Sequence, residues 1–294
     1  MQSRTIAITG SKGLIGHPLC QKLQDKHRII PLDISDETRP VDITKLSTLD
    51  AVITQSQPDV LIHLAAFTDV SAAWEQQGDT QGSAYKVNVL GTENVAKVCS
   101  KAEIQVVHLS TSFVFDGEKK SPYLESDTPN PIEWYGQTKA LAEEAIMRES
   151  QNWTILRIDQ PFHHLPSPTK PDLAHTLATN MRSNQLQPQF SDHYFGPTYI
   201  PDLILVIEQV IETSLSGLFH ATNNESWTNY DFATTIADSI GYDGKIEASL
   251  LAEYLKTSQR PYQKNSALNS SHLYQTLNQT PTSISDALKK LKGE

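Results

Sequence analysis

Short apolar, β-branched runs alternate with longer segments of helical spacing over the first third of the chain. Thr5–Thr9 (TIAIT), Arg28–Asp33 (RIIPLD), Val60–Ala65 (VLIHLA) and Gln105–Ser110 (QVVHLS) are nearly continuous in apolar residues. That pattern suits strands covered on both faces better than half-exposed ones. Between them lie helix-length stretches, Leu14–Asp25, Lys45–Ser56 and Tyr85–Lys101, and in the last Val87, Leu90, Val95 and Val98 approximate one helical face. Strand, helix, strand at this spacing predicts βαβ units and an α/β fold with a doubly wound parallel sheet. The prolines of Asp127–Pro131 mark a loop, Tyr135–Arg148 reads as a helix and Thr154–Ile158 as a strand. Past Pro161 the pattern changes to a proline-rich connector, HHLPSPTKP, followed by helices at Leu173–Asn184, Leu203–Thr213, Tyr230–Ile240 and Ser285–Lys292 separated by longer polar loops. We read residues 1–160 as one domain and 161–294 as a smaller lobe whose segments can interleave with the first.

Composition narrows the partners. The chain has 294 residues, 24 Lys and Arg against 34 Asp and Glu, and a net charge of −10. That balance disfavours nucleic acid and anionic membrane surfaces. No apolar stretch approaches a membrane span, and the first apolar run is too short for a secretion signal. Cys20 and Cys99, each in a helix-like segment, read as buried, reduced thiols, so a cytoplasmic location is expected. Two such cysteines build no metal site, and His163–His164 lacks a third ligand at recognisable spacing; no metal is expected.

Three motifs carry chemistry. After the first strand comes T-G-S-K-G-L-I-G, in which Gly10, Gly13 and Gly16 open the first helix. A turn that holds a pyrophosphate needs glycines for its tightness, for backbone approach and for helix packing, while the helix N-terminus supplies amides. Asp33 follows at roughly the 20-residue distance at which a carboxylate meets a ribose diol. The first domain is therefore expected to be a Rossmann-type dinucleotide site. Asp33 would accept a bond from a free 2′-hydroxyl, which favours NAD(H); Lys12, inside the loop, would meet a 2′-phosphate and leaves NADP(H) open.

The second motif is Tyr135-Gly-Gln-Thr-Lys139 at a helix start, with Tyr135 and Lys139 on one face. A free phenol has a pKa of about 10. An ammonium about 4 Å away is worth roughly 4 kcal/mol at an effective dielectric near 20, about three pKa units, which brings a phenol into working range. An ordinary surface helix start with a solvated lysine is the plainer alternative. The third motif, Leu109-Ser-Thr-Ser-Phe-Val-Phe-Asp-Gly117, ends a strand where open α/β sheets place ligands, and hydroxyls there can polarise a carbonyl.

Together these residues resemble the extended short-chain dehydrogenase/reductase superfamily, and more closely the dTDP-4-dehydrorhamnose reductases and their sugar-nucleotide-binding relatives. The resemblance runs through VDITK, PDVLIHLAAFTDV, YKVNVLGTENVAKVC, STSFVFDG, PYLESDTPNPIEWYGQTK, FGPTYIPDL and RPYQKNSALNSSHL. It implies Thr111, Tyr135 and Lys139 as a catalytic triad. It also implies a cofactor site of Gly10, Lys12, Gly13, Leu14, Ile15, Gly16 and Asp33, with Asp42 and Ile43 flanking adenine, Leu64, Ala65 and Ala66 lining the cofactor, and Tyr135 and Lys139 reaching it. Thr68, Val70, Thr111, Ser112, Phe113, Tyr135 and Arg260 are implied substrate contacts. The implied activity is NAD(P)H-dependent reduction of a nucleotide-linked 4-keto-6-deoxysugar, with a homodimer possible. The same superfamily leaves open an epimerase or dehydratase that recycles its NAD, and a cofactor-binding regulatory subunit like the β subunit of methionine adenosyltransferase. The sequence departs from the pattern where Ser112-Phe113 replaces the family's Asp-Tyr, in Thr68–Glu75, and after Arg157, where an aromatic stretch has become Ile158–Phe162. These departures touch expected sugar and nucleotide contacts, so they bear on the substrate rather than on the hydride chemistry.

Overall fold

The computed structural model describes residues 3–291. In chain order the first elements are β1 (Thr5–Thr9), α1 (Gly16–Leu23), β2 (Arg28–Leu32), α2 (Leu46–Ser56), β3 (Val60–His63), α3 (Val70–Trp74) and α4 (Ser83–Tyr85). After a π-helical turn at Lys86–Gly91 come α5 (Thr92–Lys101), β4 (Gln105–Thr111), α6 (Trp134–Glu149) and β5 (Trp153–Ile158). The remainder comprises β6 (Pro161–Phe162), α7 (Leu173–Arg182), β7 (Gln189–Phe190), β8 (Tyr194–Phe195), β9 (Thr198–Tyr199), α8 (Ile200–Thr213) and β10 (Gly217–His220). It ends with β11 (Trp227–Thr228), α9 (Asn229–Ile240), β12 (Ala248–Ser249), α10 (Leu251–Tyr254), α11 (Ser271–Leu277) and α12 (Ile284–Leu288).

The main sheet has six strands in the order β10-β5-β4-β3-β1-β2, and β2, β1, β3 and β4 pair in parallel. This is the expected α/β, doubly wound arrangement. After β1 the chain crosses to β2 on one side and then returns to β3 on the other, so the order reverses beside β1. In open α/β sheets the crevice at the carboxyl ends of such strands is where ligands lie.

Two compact units divide the chain. One holds the chain up to Val114 with Glu133–Leu156 and Ile207–Leu218; the other holds Phe115–Ile132, Arg157–Val206 and the chain from Phe219 onward. In the first, Ala7, Leu61, Val106 and Ile155 of the sheet pack against Leu49 and Val52 of α2 and Val95, Val98 and Cys99 of α5. Each large side chain so buried contributes roughly 1.5–3 kcal/mol. In the second, Phe162, Phe195 and Phe232 centre a core closed by α7, α9 and α12. Cys99 is buried as expected, but Cys20 is only half-buried, on the flank of the buried face of α1, with its Sγ 4.0 Å from the Ser11 carbonyl.

Candidate active site

The three glycines of the β1–α1 turn do different things. Gly10 has φ +67°, and a Cβ there would stand 2.8 Å from the Ala65 nitrogen and 2.9 Å from the Leu64 carbonyl carbon. A Cβ on Gly16 would lie 2.1 Å from the Gly10 oxygen. The fold therefore needs both to be glycine. Gly13 meets only the Gly10 oxygen, at 3.1 Å, so its missing side chain keeps the loop's surface open rather than its interior packed. Ile15 is buried and Leu14 half-buried behind it. Leu64 and Ala65, just past β3, donate their N–H groups to Thr9 Oγ1 at 3.2 and 3.3 Å, which draws this segment against the glycine turn.

Asp33 and Lys12 are parts of one turn rather than rivals. The Lys12 N–H donates to Asp33 Oδ2 at 2.9 Å, and Ser35 N–H and Oγ–H donate to Oδ1 at 2.9 and 2.7 Å. Partial burial pushes the Asp33 carboxyl pKa up, but these bonds outweigh it and hold the group below its ordinary value. The Lys12 ammonium donates to the Ser35 carbonyl at 3.2 Å and sits 3.5 Å from the Asp36 carboxylate. Asp42 is occupied locally, accepting from Thr44 N–H and Oγ–H at 2.9 and 2.7 Å, and Ile43 is buried in the core against Gly91.

On the other side of the crevice, α6 lies along the end of β4. Glu133 caps the helix, its carboxylate accepting from the N–H groups of Tyr135 at 2.8 Å and Gly136 at 2.6 Å. This buried cap moves the helix start to Trp134 and fixes the Tyr135 backbone. Gly136 is glycine because a Cβ there would lie 2.1 Å from the Phe113 oxygen. That close approach sets the Phe113 ring edge-on to Tyr135, with centroids 5.6 Å apart. One turn later Lys139 is 3% exposed; its ammonium donates to the Leu109 carbonyl at 2.8 Å and contacts His108 Nε2 at 3.2 Å. Burial lowers its pKa to about 8, against an opposing pull from Glu143. Glu143 accepts from Ser110 Oγ at 2.5 Å, a second tie between α6 and β4. Thr111 and Ser112 are buried at the strand end, and the Phe113 N–H donates to Thr111 Oγ1 at 3.3 Å.

Of the expected substrate contacts, Val70 and Phe113 pack with Tyr135, Trp134 and Tyr85 in one cluster, and Thr68 is exposed just before it. Arg260 belongs to the second unit, where its guanidinium lies 4.6 Å from the centre of the Tyr262 ring. His163 and His164 stack at 4.4 Å, with Tyr199 Oη 2.6 Å from His164 Nδ1. Among the described residues no group of three or more His, Cys, Asp or Glu is placed to hold a metal, and no helix is long and apolar enough to cross a membrane.

Four further residues shape the site: Asn88, which lies in the YKVNVLGTENVAKVC motif, and Glu133, His63 and His108, which lie outside the expected site residues. Asn88, in the π-helical turn, accepts from Phe67 N–H at 2.8 Å and donates to the Phe67 carbonyl at 3.1 Å and Thr138 Oγ1 at 3.0 Å, tying the segment after β3 to α6. Glu133 was visible only as an acid before a helix. His63 and His108 interrupt two otherwise apolar strands, and that interruption was the available signal.

The model of the RmlD substrate binding domain matches residues 4–293. The chain belongs to this family. It is thus a member of the extended short-chain dehydrogenase/reductase class, as the motifs implied. The RmlD-type chain is 30% identical over 302 residues to a dTDP-4-dehydrorhamnose reductase of Aggregatibacter actinomycetemcomitans, covering 98% of each. It superposes with a TM-score of 0.88 on the crystal structure of dTDP-4-dehydrorhamnose reductase from Bacillus anthracis in complex with NADP, at 25% identity and covering 99% of each chain. It is also 27% identical to the bovine methionine adenosyltransferase 2 subunit beta, over 92% of this chain and 82% of that one.

Proposed function

We propose that this chain is an NAD(P)H-dependent reductase of a nucleotide-linked 4-keto-6-deoxysugar. The observation that carries the reading is the buried Lys139 ammonium. It is bound to the Leu109 carbonyl two residues before Thr111 and lies one helical turn after Tyr135. Burying an ammonium is costly, and one held a helical turn after a phenol supplies the positive charge that a proton-donating phenol needs.

The residues fit a nicotinamide dinucleotide. The open position at Gly13 and the α1 N-terminus would take the pyrophosphate, Asp33 the adenosine ribose, and Lys139 the nicotinamide ribose. When bound, that cofactor supplies a hydride to the sugar C4. Tyr135 gives its phenolic proton to the carbonyl oxygen, so the ketone becomes an alcohol, and the Thr111 hydroxyl donates a hydrogen bond to the same oxygen as its charge develops. Lys139, charged below about pH 8, makes the phenol a stronger acid. Because the Lys12 ammonium already faces Ser35 and Asp36 and the Asp33 carboxylate closes the turn, we assign NADH as the preferred cofactor.

The test is NADH and NADPH oxidation with dTDP- and UDP-linked 4-keto-6-deoxysugars. The reading expects turnover with at least one of them. An epimerase or dehydratase would consume no cofactor. A regulatory subunit would oxidise none and would instead bind a partner protein more tightly with NAD(P) present.

A further inference from the structure

His63 and His108 are register partners on β3 and β4, each 1% exposed, with ring centres 5.1 Å apart. His63 has a partner at each nitrogen: Nδ1 is 2.8 Å from Thr9 Oγ1 and Nε2 is 3.0 Å from Thr92 Oγ1. His108 has one. Its Nε2 faces the Lys139 ammonium at 3.2 Å, and its Nδ1 is buried with no hydrogen-bond partner among the described residues. Burial keeps both rings neutral, holding the His63 pKa near 3 and that of His108 well below its ordinary value.

A neutral imidazole has one donor and one acceptor, and an ammonium has donors only. Nε2 must therefore accept from Lys139, which puts the ring proton on Nδ1, where nothing receives it. A buried, unpartnered donor is destabilising. Packing alone would favour an apolar side chain at position 108, like its neighbours Val106 and Val107.

We propose that His108 is a positioning residue for Lys139: with the Leu109 carbonyl it forms a two-acceptor seat that holds the ammonium charged and aims its remaining N–H at the active site. The inference rests on the reductase reading for its consequence in turnover, but the seat itself is observable without any sugar. The groups around Lys139 are His108 from β4, His63 behind it on β3, and Tyr135 and Glu143 one turn to either side on α6. Glu143 is the carboxylate that favours the ammonium. His108 accepts a stronger hydrogen bond from the ammonium than from the neutral amine, and so favours the charged form.

Removing that acceptor lets burial act with less opposition. In His108→Leu the upper limb of the rate–pH profile, near pH 8 in the wild type, moves down by roughly one to two pH units, the span that a hydrogen bond to a charged group covers. The rate on the acid side of both limbs stays within a few-fold. His108→Gln places a carbonyl near the position of Nε2 and keeps the limb near its wild-type position. A purely structural role predicts loss by one common factor at every pH, or equal shifts in both variants, and either result overturns the proposal. The independent measurement is ¹⁵N NMR of histidine-labelled wild type without sugar. At pH 7 the His108 proton is on Nδ1 with Nε2 bare, and the Nε2 signal shifts as Lys139 titrates near pH 8. A proton on Nε2 at pH 7 refutes the seat. If the tautomer is as stated and no sugar is reduced, the seat stands and the reductase reading fails.

Discussion

Replacing the glycines of the β1–α1 turn one at a time separates what the fold needs from what the cofactor needs. At Gly10 a side chain has to adopt φ +67°, which costs an L-residue roughly 1–2 kcal/mol, and its Cβ would press on backbone atoms of Leu64 and Ala65 at 2.8–3.0 Å, with overpacking costs of about 1–3 kcal/mol. Gly10→Ala is therefore expected to lose about 2–5 kcal/mol. At roughly 2–4 °C per kcal/mol for a chain of this class, its Tm falls by about 4–20 °C. At Gly13 the sole near contact is the Gly10 oxygen at 3.1 Å, which a shift of a few tenths of an ångström relieves. Gly13→Val should thus keep its Tm within about 4 °C while filling the place where a pyrophosphate would approach the backbone. Its affinity for NAD(P)H should fall by at least about 100-fold, or roughly 2.7 kcal/mol. Calorimetric unfolding without ligand reads the first effect and titration calorimetry with NADH and NADPH the second. Wild-type cofactor affinity in folded Gly13→Val, or an unchanged Tm in Gly10→Ala, refutes this division of roles.

Asp33→Ala should weaken NADH and improve NADPH relative to it; a wild type that already prefers NADPH tenfold, about 1.4 kcal/mol, contradicts the assignment of the turn. Lys139 links stability to pH in a definite direction. Unfolded, it holds its proton to about pH 10.4, whereas folded it loses it near pH 8, so between these values the unfolded state binds more protons and stability rises with pH. The burial penalty is present in full below pH 8 and relieved above it. Wild type should gain up to about 3 kcal/mol relative to Lys139→Met between pH 8 and pH 10 in urea unfolding at fixed pH, and parallel profiles exclude a buried ammonium.

The sheet was legible because β1, β3 and β4 are buried along their length and read as nearly unbroken apolar runs, and the βαβ order follows from their spacing. β2, at the edge of the sheet, departs from that expectation, with Arg28 and Pro31 exposed and Ile29 and Ile30 only half-buried. Boundaries moved where caps decide them, as with Glu133 before α6. The helix at Val70–Trp74 was not visible because five residues after an Asp69 cap show too little periodicity to separate them from a loop. α11 at Ser271–Leu277 likewise buries only Leu273, Tyr274 and Leu277. Nor does periodicity say that Phe115–Ile132 leaves the first unit for the second, since that depends on where a loop packs. Within the site, Tyr135, Lys139 and the glycines could be read from local spacing. The pairing of Lys139 with His108 spans 31 residues and exists only once α6 is laid on β4.

Hydride transfer is tested most directly by following a deuterium label from the nicotinamide. NADH or NADPH carrying deuterium at C4 of the transferring face is incubated with a nucleotide-linked 4-keto-6-deoxysugar, and the product is examined by NMR. The account predicts one deuterium at sugar C4, one cofactor oxidised per product, and a loss of at least about 10² in rate in Tyr135→Phe with cofactor affinity unchanged within a few-fold. Product without label at C4, no oxidised cofactor with any such sugar, or a Tyr135→Phe variant as fast as wild type would contradict it.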